Sequence, residues 1–295
     1  MFLRKLALAA IALIAGACAN AATAAETYRF AVTDIEGLEE LQREYGAFRD
    51  ALEAATGLEF EFYPVNNRTV AGEALRAEQL EFVLTGPSEY TIYRSRMKVT
   101  PVVAFSRPDY FSVVVVRQDS GIRTIADLKG KAIALNDIGS TSGHIGPSLV
   151  LAAGGLDPVK DVQGSHLSTE VGYTALKRGD VAALGSSASN YIKLRDKDPE
   201  VNSGTFRVIG RGPDLPNDVL IAGAHVDPAV IQKVKDAFGK LESAATLMKA
   251  LSATEDGADR YRLSAFLPNV QDSDYEMMRQ GYIAIGQPQF AKPAE

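Results

Sequence analysis

The chain holds one cysteine, no tryptophan and three histidines in 295 residues, and each scarcity removes a class of chemistry. Cys18 lies in the apolar N-terminal stretch, so the rest of the chain has no disulfide and no thiolate metal ligand. The histidines at 144, 166 and 225 fit neither an H-x₃-H nor an H-E-x-x-H spacing, so no metal is expected. Positive charge is also in deficit. Thirty-one Lys and Arg face 37 Asp and Glu, for a net charge of −6, and no basic cluster is large enough to hold nucleic acid. There is no P-loop, no dinucleotide fingerprint and no G-x-S-x-G elbow, so no cofactor is expected and enzyme chemistry is unmarked. Internal repeats, low-complexity tracts and a second long apolar span are absent too.

What is present begins with an export signal. Arg4 and Lys5 precede the apolar run Leu6–Ala15, and small residues follow up to Ala25. The run is too short to span a bilayer. Cleavage at the Ala22-Thr23-Ala24 pattern, or one residue later, would place the protein in the periplasm and lower its net charge by two. Ala15-Gly16-Ala17-Cys18 offers the alternative of a lipoprotein box, with Cys18 lipidated and retained.

About 270 residues remain, more than one comfortable core. Strand-like and helix-like patterns alternate along them. Tyr28–Val32, Leu58–Tyr63, Phe82–Leu84 and Thr100–Phe105 read as strands, with helices at Leu38–Thr56, Thr69–Glu78 and Ser88–Arg96 between them. This βαβα order predicts a mainly parallel sheet covered by helices. Phe111–Val116 is the densest β-branched run, and Phe206–Ala222 reads as a second long, kinked strand. Together they set off a middle third with its own βαβα pattern. The arrangement predicts an inserted lobe with two crossing segments: residues 26–113 and 219–295 in lobe 1, and 114–218 in lobe 2. One continuous doubly wound domain is the alternative.

The segment Gly139-Ser140-Thr141-Ser142-Gly143-His144 follows the strand-like Ala132–Leu135 and opens the helical run Ser142–Ala153. A hydroxyl-rich turn at a helix start offers free backbone N–H groups and the positive end of the helix dipole, a seat for a small oxyanion. A plain Ser/Thr N-cap with a tight glycine turn explains the same residues.

Several segments together resemble the periplasmic phosphate/phosphite/phosphonate-binding proteins of ABC importers. They are Phe111 to Ile122 with Asp119-Ser120-Gly121, Ala126-Asp127-Leu128-Lys129-Gly130-Lys131, Gly139–Gly143, Phe82 with Gly86-Pro87 and Tyr90, Gly164-Ser165-His166, and Pro216-Asn217-Asp218. The resemblance covers nearly the whole chain after the signal. It implies an α/β, two-lobed class II periplasmic binding protein fold with the ligand cleft between the lobes. It also implies capture of a small oxyanion, such as phosphonate, phosphite, phosphate or an arsenic oxyanion, for an ABC permease. A periplasmic sensor handing the signal to a membrane histidine kinase is the alternative.

On the matching positions, Ser140, Thr141, Ser142 and Gly143 would hold the anion through hydroxyls and amides. Tyr90 would close from the opposite lobe, His166 would reach in from the inserted lobe, and His144 would line the cleft or cap locally. The chain departs from the family pattern twice. Asn66-Asn67-Arg68 stands where an aromatic is usual, and Arg68 could pair with a more fully ionised anion. Ala182–Ser189 carries no carboxylate where acidic side chains are usual, with Glu170 a possible substitute. His225, Lys129 and Lys131 read as structural or solvated. A triad of Ser142, His166 and Asp180 has no support in spacing.

Overall fold

Val113 to Val116 are four consecutive valines, all buried. A strand apolar on both sides has to be covered on both sides, and this one sits inside a sheet. The computed structural model describes residues 26–295 except 34, 36, 66, 67, 255–259 and 262. The expected signal, Cys18 and Asn66-Asn67 lie outside the described residues.

Phe111–Arg117 (β5) pairs antiparallel with Ala183–Ser187 (β8) and with Phe206–Asp214 (β9). Ala132–Leu135 (β6) and Gln163–His166 (β7) run parallel to each other and complete a sheet of order β7-β6-β8-β5-β9. Side chains alternate between its faces. Val114 and Val116 pack with Leu128, Ile133 and Leu151, whereas Val113 and Val115 pack with Tyr173, Leu184 and Phe206.

The other sheet joins Thr27–Val32 (β1), Glu59–Phe62 (β2), Phe82–Thr85 (β3), Val99–Phe105 (β4), Asp218–Gly223 (β10) and Phe266–Leu267 (β11). Its order is β11-β4-β10-β3-β1-β2. One face carries an aromatic core with Phe30, Phe48, Phe82, Phe105 and Phe238, and the other buries Ala31, Val83, Tyr93 and Ile221. Helix α1, Leu38–Thr56, places Leu41, Phe48 and Leu52 on this core and stops at Gly57, whose φ of 64° suits a left-handed cap.

Two sheets with separate cores make the two lobes. The structure departs from a mainly parallel reading. Only β2-β1-β3 and β7-β6-β8 are parallel, because β10 and β5, which adjoin the crossings, enter antiparallel. The chain changes sheet at 106–110 and 215–217, so the expected break at 113–114 falls inside β5. Phe206–Ala222 likewise divides into β9 and β10 in different sheets. The C-terminal helix Glu276–Ala284 packs Met278 and Tyr282 against Ile145 and Tyr110, so it leans on the inserted lobe.

Candidate functional site

Both sheets direct the C-terminal ends of their parallel strands toward the junction between the lobes, the usual position for ligands in open α/β sheets. After β6 the chain passes Asn136 and Gly139, whose φ of 86° favours glycine, and enters a π-helical turn, Thr141–Ile145. This turn runs directly into helix α4, Gly146–Ala153. Single π turns are rare and often mark functional sites. The N–H groups of His144 and Ile145 both reach the Ser140 carbonyl, at 3.0 and 2.9 Å. The amides of Thr141, Ser142 and Gly143 precede that first bond and have no acceptor within the helix. Gly143 is required by packing, since a Cβ there would collide with Asn136 Cβ. Ser112 on β5 fixes the turn from below by donating to the Ser142 carbonyl at 2.8 Å.

Across the junction, Gly86 precedes helix α3, Pro87–Arg96, with Pro87 at its first position. Ser88 and Thr141 meet there. Thr141 donates to Ser88 Oγ at 2.9 Å, and the Ser88 N–H donates to Thr141 Oγ1 at 3.3 Å. Both residues are buried. Tyr282 on the C-terminal helix donates to the Ser88 carbonyl at 3.1 Å. Two helix starts, one from each lobe, therefore converge on one point, where their dipoles add a positive field. The N-cap reading of the turn is not realised: Ser140 makes no side-chain capping bond, and the Thr141 hydroxyl is spent on the other lobe.

Two imidazoles flank the turn. His144 and His166 stand edge to face with ring centroids 4.7 Å apart. His144 Nδ1 accepts from the Gly139 N–H at 3.0 Å. His166, at the end of β7, makes a 2.6 Å bond through Nδ1 to the Asn136 carbonyl. Burial, and then the neighbouring His166, bring the His144 pKa down to about 4, so its ring is neutral at physiological pH.

Of the residues picked out by sequence, Ser140, Thr141, Ser142, Gly143, His144 and His166 come together. Tyr90 does not join them, which corrects its placement. Its ring is fully buried in lobe 1 against Tyr275, at 4.4 Å, and its hydroxyl donates to Asp272 at 2.6 Å. Burial and the adjacent carboxylate raise its pKa far above the ordinary range. Arg68 opens helix α2, Arg68–Arg76, and its side chain lies outside the described residues. Glu170 is exposed in the first turn of helix α5, Thr169–Arg178. His225 lies beside Glu81 at 3.5 Å, and Lys129 pairs with Asp161 at the surface. Ser142, His166 and Asp180 form no triad. His166 precedes α5 and Asp180 follows it, and ten residues of helix span about 15 Å.

Ser88 was missed, although the signal was available: a hydroxyl directly after Gly-Pro at a helix start is the same device as Ser140–Ser142. Ser112 and Asn136 carry no such signal, because only strand pairing and the turn's path bring them beneath it.

Paired α/β lobes meeting at a polar junction of helix starts define the class of two-lobed binding proteins. The comparisons narrow this further. The family model described as "ABC transporter, phosphonate, periplasmic substrate-binding protein" matches residues 30–275, so the chain belongs to that family, one of transport proteins. The phosphate-import protein PhnD of Mycolicibacterium smegmatis is 25% identical over 260 residues, covering 79% of each chain. Among solved structures, XAC2383 from Xanthomonas citri bound to ATP has a TM-score of 0.69 at 17% identity, covering 89% of this chain and 98% of its own. PhnD1 from Prochlorococcus marinus in complex with methylphosphonate has a TM-score of 0.65 at 15% identity, covering 88% and 98%. At these identities the two structures attest the fold. Among the described residues, no helix is long and apolar enough to cross a membrane.

Proposed function

We propose that the chain binds a small tetrahedral oxyanion of phosphorus, a phosphonate in the first instance, at the Thr141 turn and presents it to an ABC permease without chemical change. The observation that carries this reading is the π turn itself. Three consecutive first-turn amides stand beside a second helix start, with hydroxyls of Ser140, Ser142 and Ser88 around them and the Thr141 hydroxyl tying the two starts together. Amides and hydroxyls donate to an oxyanion without bringing a full opposite charge, so binding is firm and reversible. His144 and His166 add ring nitrogens at the same place. The sensor alternative draws no support from the family match, which describes transport.

Calorimetric titration of the purified protein with phosphate, phosphite, hypophosphite, methylphosphonate, arsenate and arsenite tests the reading. Saturable binding of at least one phosphorus oxyanion is expected. Silence toward all six overturns the proposal.

A further inference from the structure

The C-terminal helix, Glu276–Ala284, is rooted in one lobe and seated on the other. Its root is polar. Arg279 donates to the Asp272 carboxylate at 2.7 Å and to the Asp272 carbonyl at 3.1 Å, and the same carboxylate accepts from Tyr90 of α3 at 2.6 Å. Its seat is apolar. Met278, Tyr282 and Ile285 pack with Ile145 and Leu149 of the inserted lobe and with Tyr110 of the first crossing. Ile145, Met278 and Tyr282 are wholly buried there. Beyond the helix the chain returns to α3, where Arg94 and Ala294 exchange hydrogen bonds at 2.6 and 2.7 Å. The helix is therefore a third link between the lobes, beside the two crossings.

Three parts of the anion site touch this link. Ile145 closes the π turn, and its N–H is one of the two that reach the Ser140 carbonyl. Gly281 faces it so closely that a Cβ there would stand 2.2 Å from Ile145 Cγ2 and 3.6 Å from Leu149 Cδ1. The Tyr282 hydroxyl donates to the Ser88 carbonyl at 3.1 Å, at the start of α3, and lies 3.6 Å from where a Cβ of Gly139 would stand. Two adjacent residues thus meet the end of the π turn, its entry and the facing helix start. Close-packed contacts of this kind pass a displacement on, and a β-branched Ile has little rotamer freedom with which to yield.

We infer that the C-terminal helix positions the anion turn against the start of α3, and that Gly281 and Tyr282 are positioning residues for binding although neither belongs to the turn. Through them the separation of the two helix starts, which decides how well both reach one small anion, is set from lobe 1. This inference rests on the oxyanion reading above and adds the element that holds the two starts in register.

Gly281→Ala in the full chain is the test, with methylphosphonate as the probe. Alanine is the better helix former, so a loss comes from the contact with Ile145 and not from the helix itself. Calorimetry should show affinity lowered roughly twofold to thirtyfold, the span of coupling carried through packed side chains. Ile145→Leu moves the branch from Cβ to Cγ and clears the Cγ2 position, so the double variant should bind more tightly than Gly281→Ala alone. Relief of this kind separates positioning from general support, which would lower the melting temperature and leave the affinity of the folded protein unchanged. In the unaltered chain, saturating methylphosphonate should slow amide hydrogen exchange across 276–284. That measurement decides if Gly281→Ala does not fold. Unchanged affinity in Gly281→Ala overturns the inference, as does a loss that Ile145→Leu leaves in full, or exchange in 276–284 that does not respond. Each of these leaves the oxyanion reading standing. Failure of the unaltered chain to bind methylphosphonate and all other phosphorus oxyanions overturns both.

Discussion

Thr141 and Tyr90 show how differently two polar residues in one region are used. The Thr141 hydroxyl bridges the lobes through Ser88 and lies at the anion turn, so it serves closure and binding together. Thr141→Ala removes the bond to Ser88 Oγ and leaves the buried Ser88 N–H without its acceptor, so the junction, and with it phosphonate affinity, should weaken by about 1–3 kcal/mol. Thr141→Ser should restore most of it, and calorimetry on the pair is the measurement. Loss in both variants alike would assign the effect to packing of the methyl group. Tyr90 gives the opposite pattern. Its hydroxyl donates to Asp272, which also takes the Arg279 guanidinium at 2.7 Å. Tyr90→Phe should therefore lower stability by about 1.5–3 kcal/mol in denaturant unfolding while leaving anion affinity nearly unchanged. A selective loss of affinity would return Tyr90 to the cleft. His144 supplies a pH signature. Its folded pKa of about 4 lies below the usual 6.5, so the unfolded chain takes up the proton first as pH falls. Stability from this residue is full above pH 6.5, declines between 6.5 and about 4, and is lost below. The decline amounts to at most about 3 kcal/mol. In His144→Asn, whose amide oxygen can still accept from Gly139, the melting temperature should depend less on pH across that window.

At the scale of elements, the turn works because three constraints agree. Gly139 takes a left-handed conformation, Gly143 clears Asn136, and Ser112 holds the Ser142 carbonyl. Gly143→Ala forces its methyl into the Asn136 side chain at its root, where no rotamer change relieves the contact. Overpacking of this kind costs about 1–3 kcal/mol. The Asn136 carbonyl that fixes His166 would shift with it, so binding should fall as well as stability, in contrast to Tyr90→Phe. The sequence made the glycines, the hydroxyls and the helix start visible, because a turn declares itself in local composition. Extra hydrogen bonding across five residues, which makes this turn a π turn, has no local signature. It arises where Ser140 accepts from both His144 and Ile145 under the pull of Ser112 from another strand. Ser112 and Asn136 were obscure for the same reason, since their roles depend on which elements face each other. The strand Phe111–Arg117 was plain because its four valines need cover on both faces, but its antiparallel direction is a property of the crossing and not of the run.

At the scale of the molecule, the two crossings are what join the two cores. The sequence located them within a few residues by the change in strand pattern, but not the clasp that ties them. The Arg107 N–H donates to Asn217 Oδ1 at 3.0 Å, and the Leu215 N–H donates to the Tyr110 carbonyl at 2.7 Å, so each segment is pinned to the other. The Arg107 guanidinium lies 3.7 Å over the Tyr110 ring and 3.4 Å from Asp218. Burial opposes its charge, and Asp218 more than restores it, so its pKa stands above the ordinary arginine value. Asp218 also faces Arg260 at 3.9 Å and accepts from Tyr261 at 3.2 Å. One buried carboxylate thus balances two guanidinium groups at the base of the cleft. Two crossings pinned to each other in this way are the place where a hinge between the lobes would bend. Asp218→Asn keeps the shape and removes the balancing charge. Stranding a buried charge costs about 3–5 kcal/mol, more than any substitution at the anion turn, although Asp218 lies outside that turn. Denaturant unfolding should show this loss, and the remaining folded protein should still bind methylphosphonate. A loss below about 1 kcal/mol would mean that Arg107 finds its counter-charge elsewhere, and that the paired crossings owe their rigidity to the Asn217 and Tyr110 bonds alone.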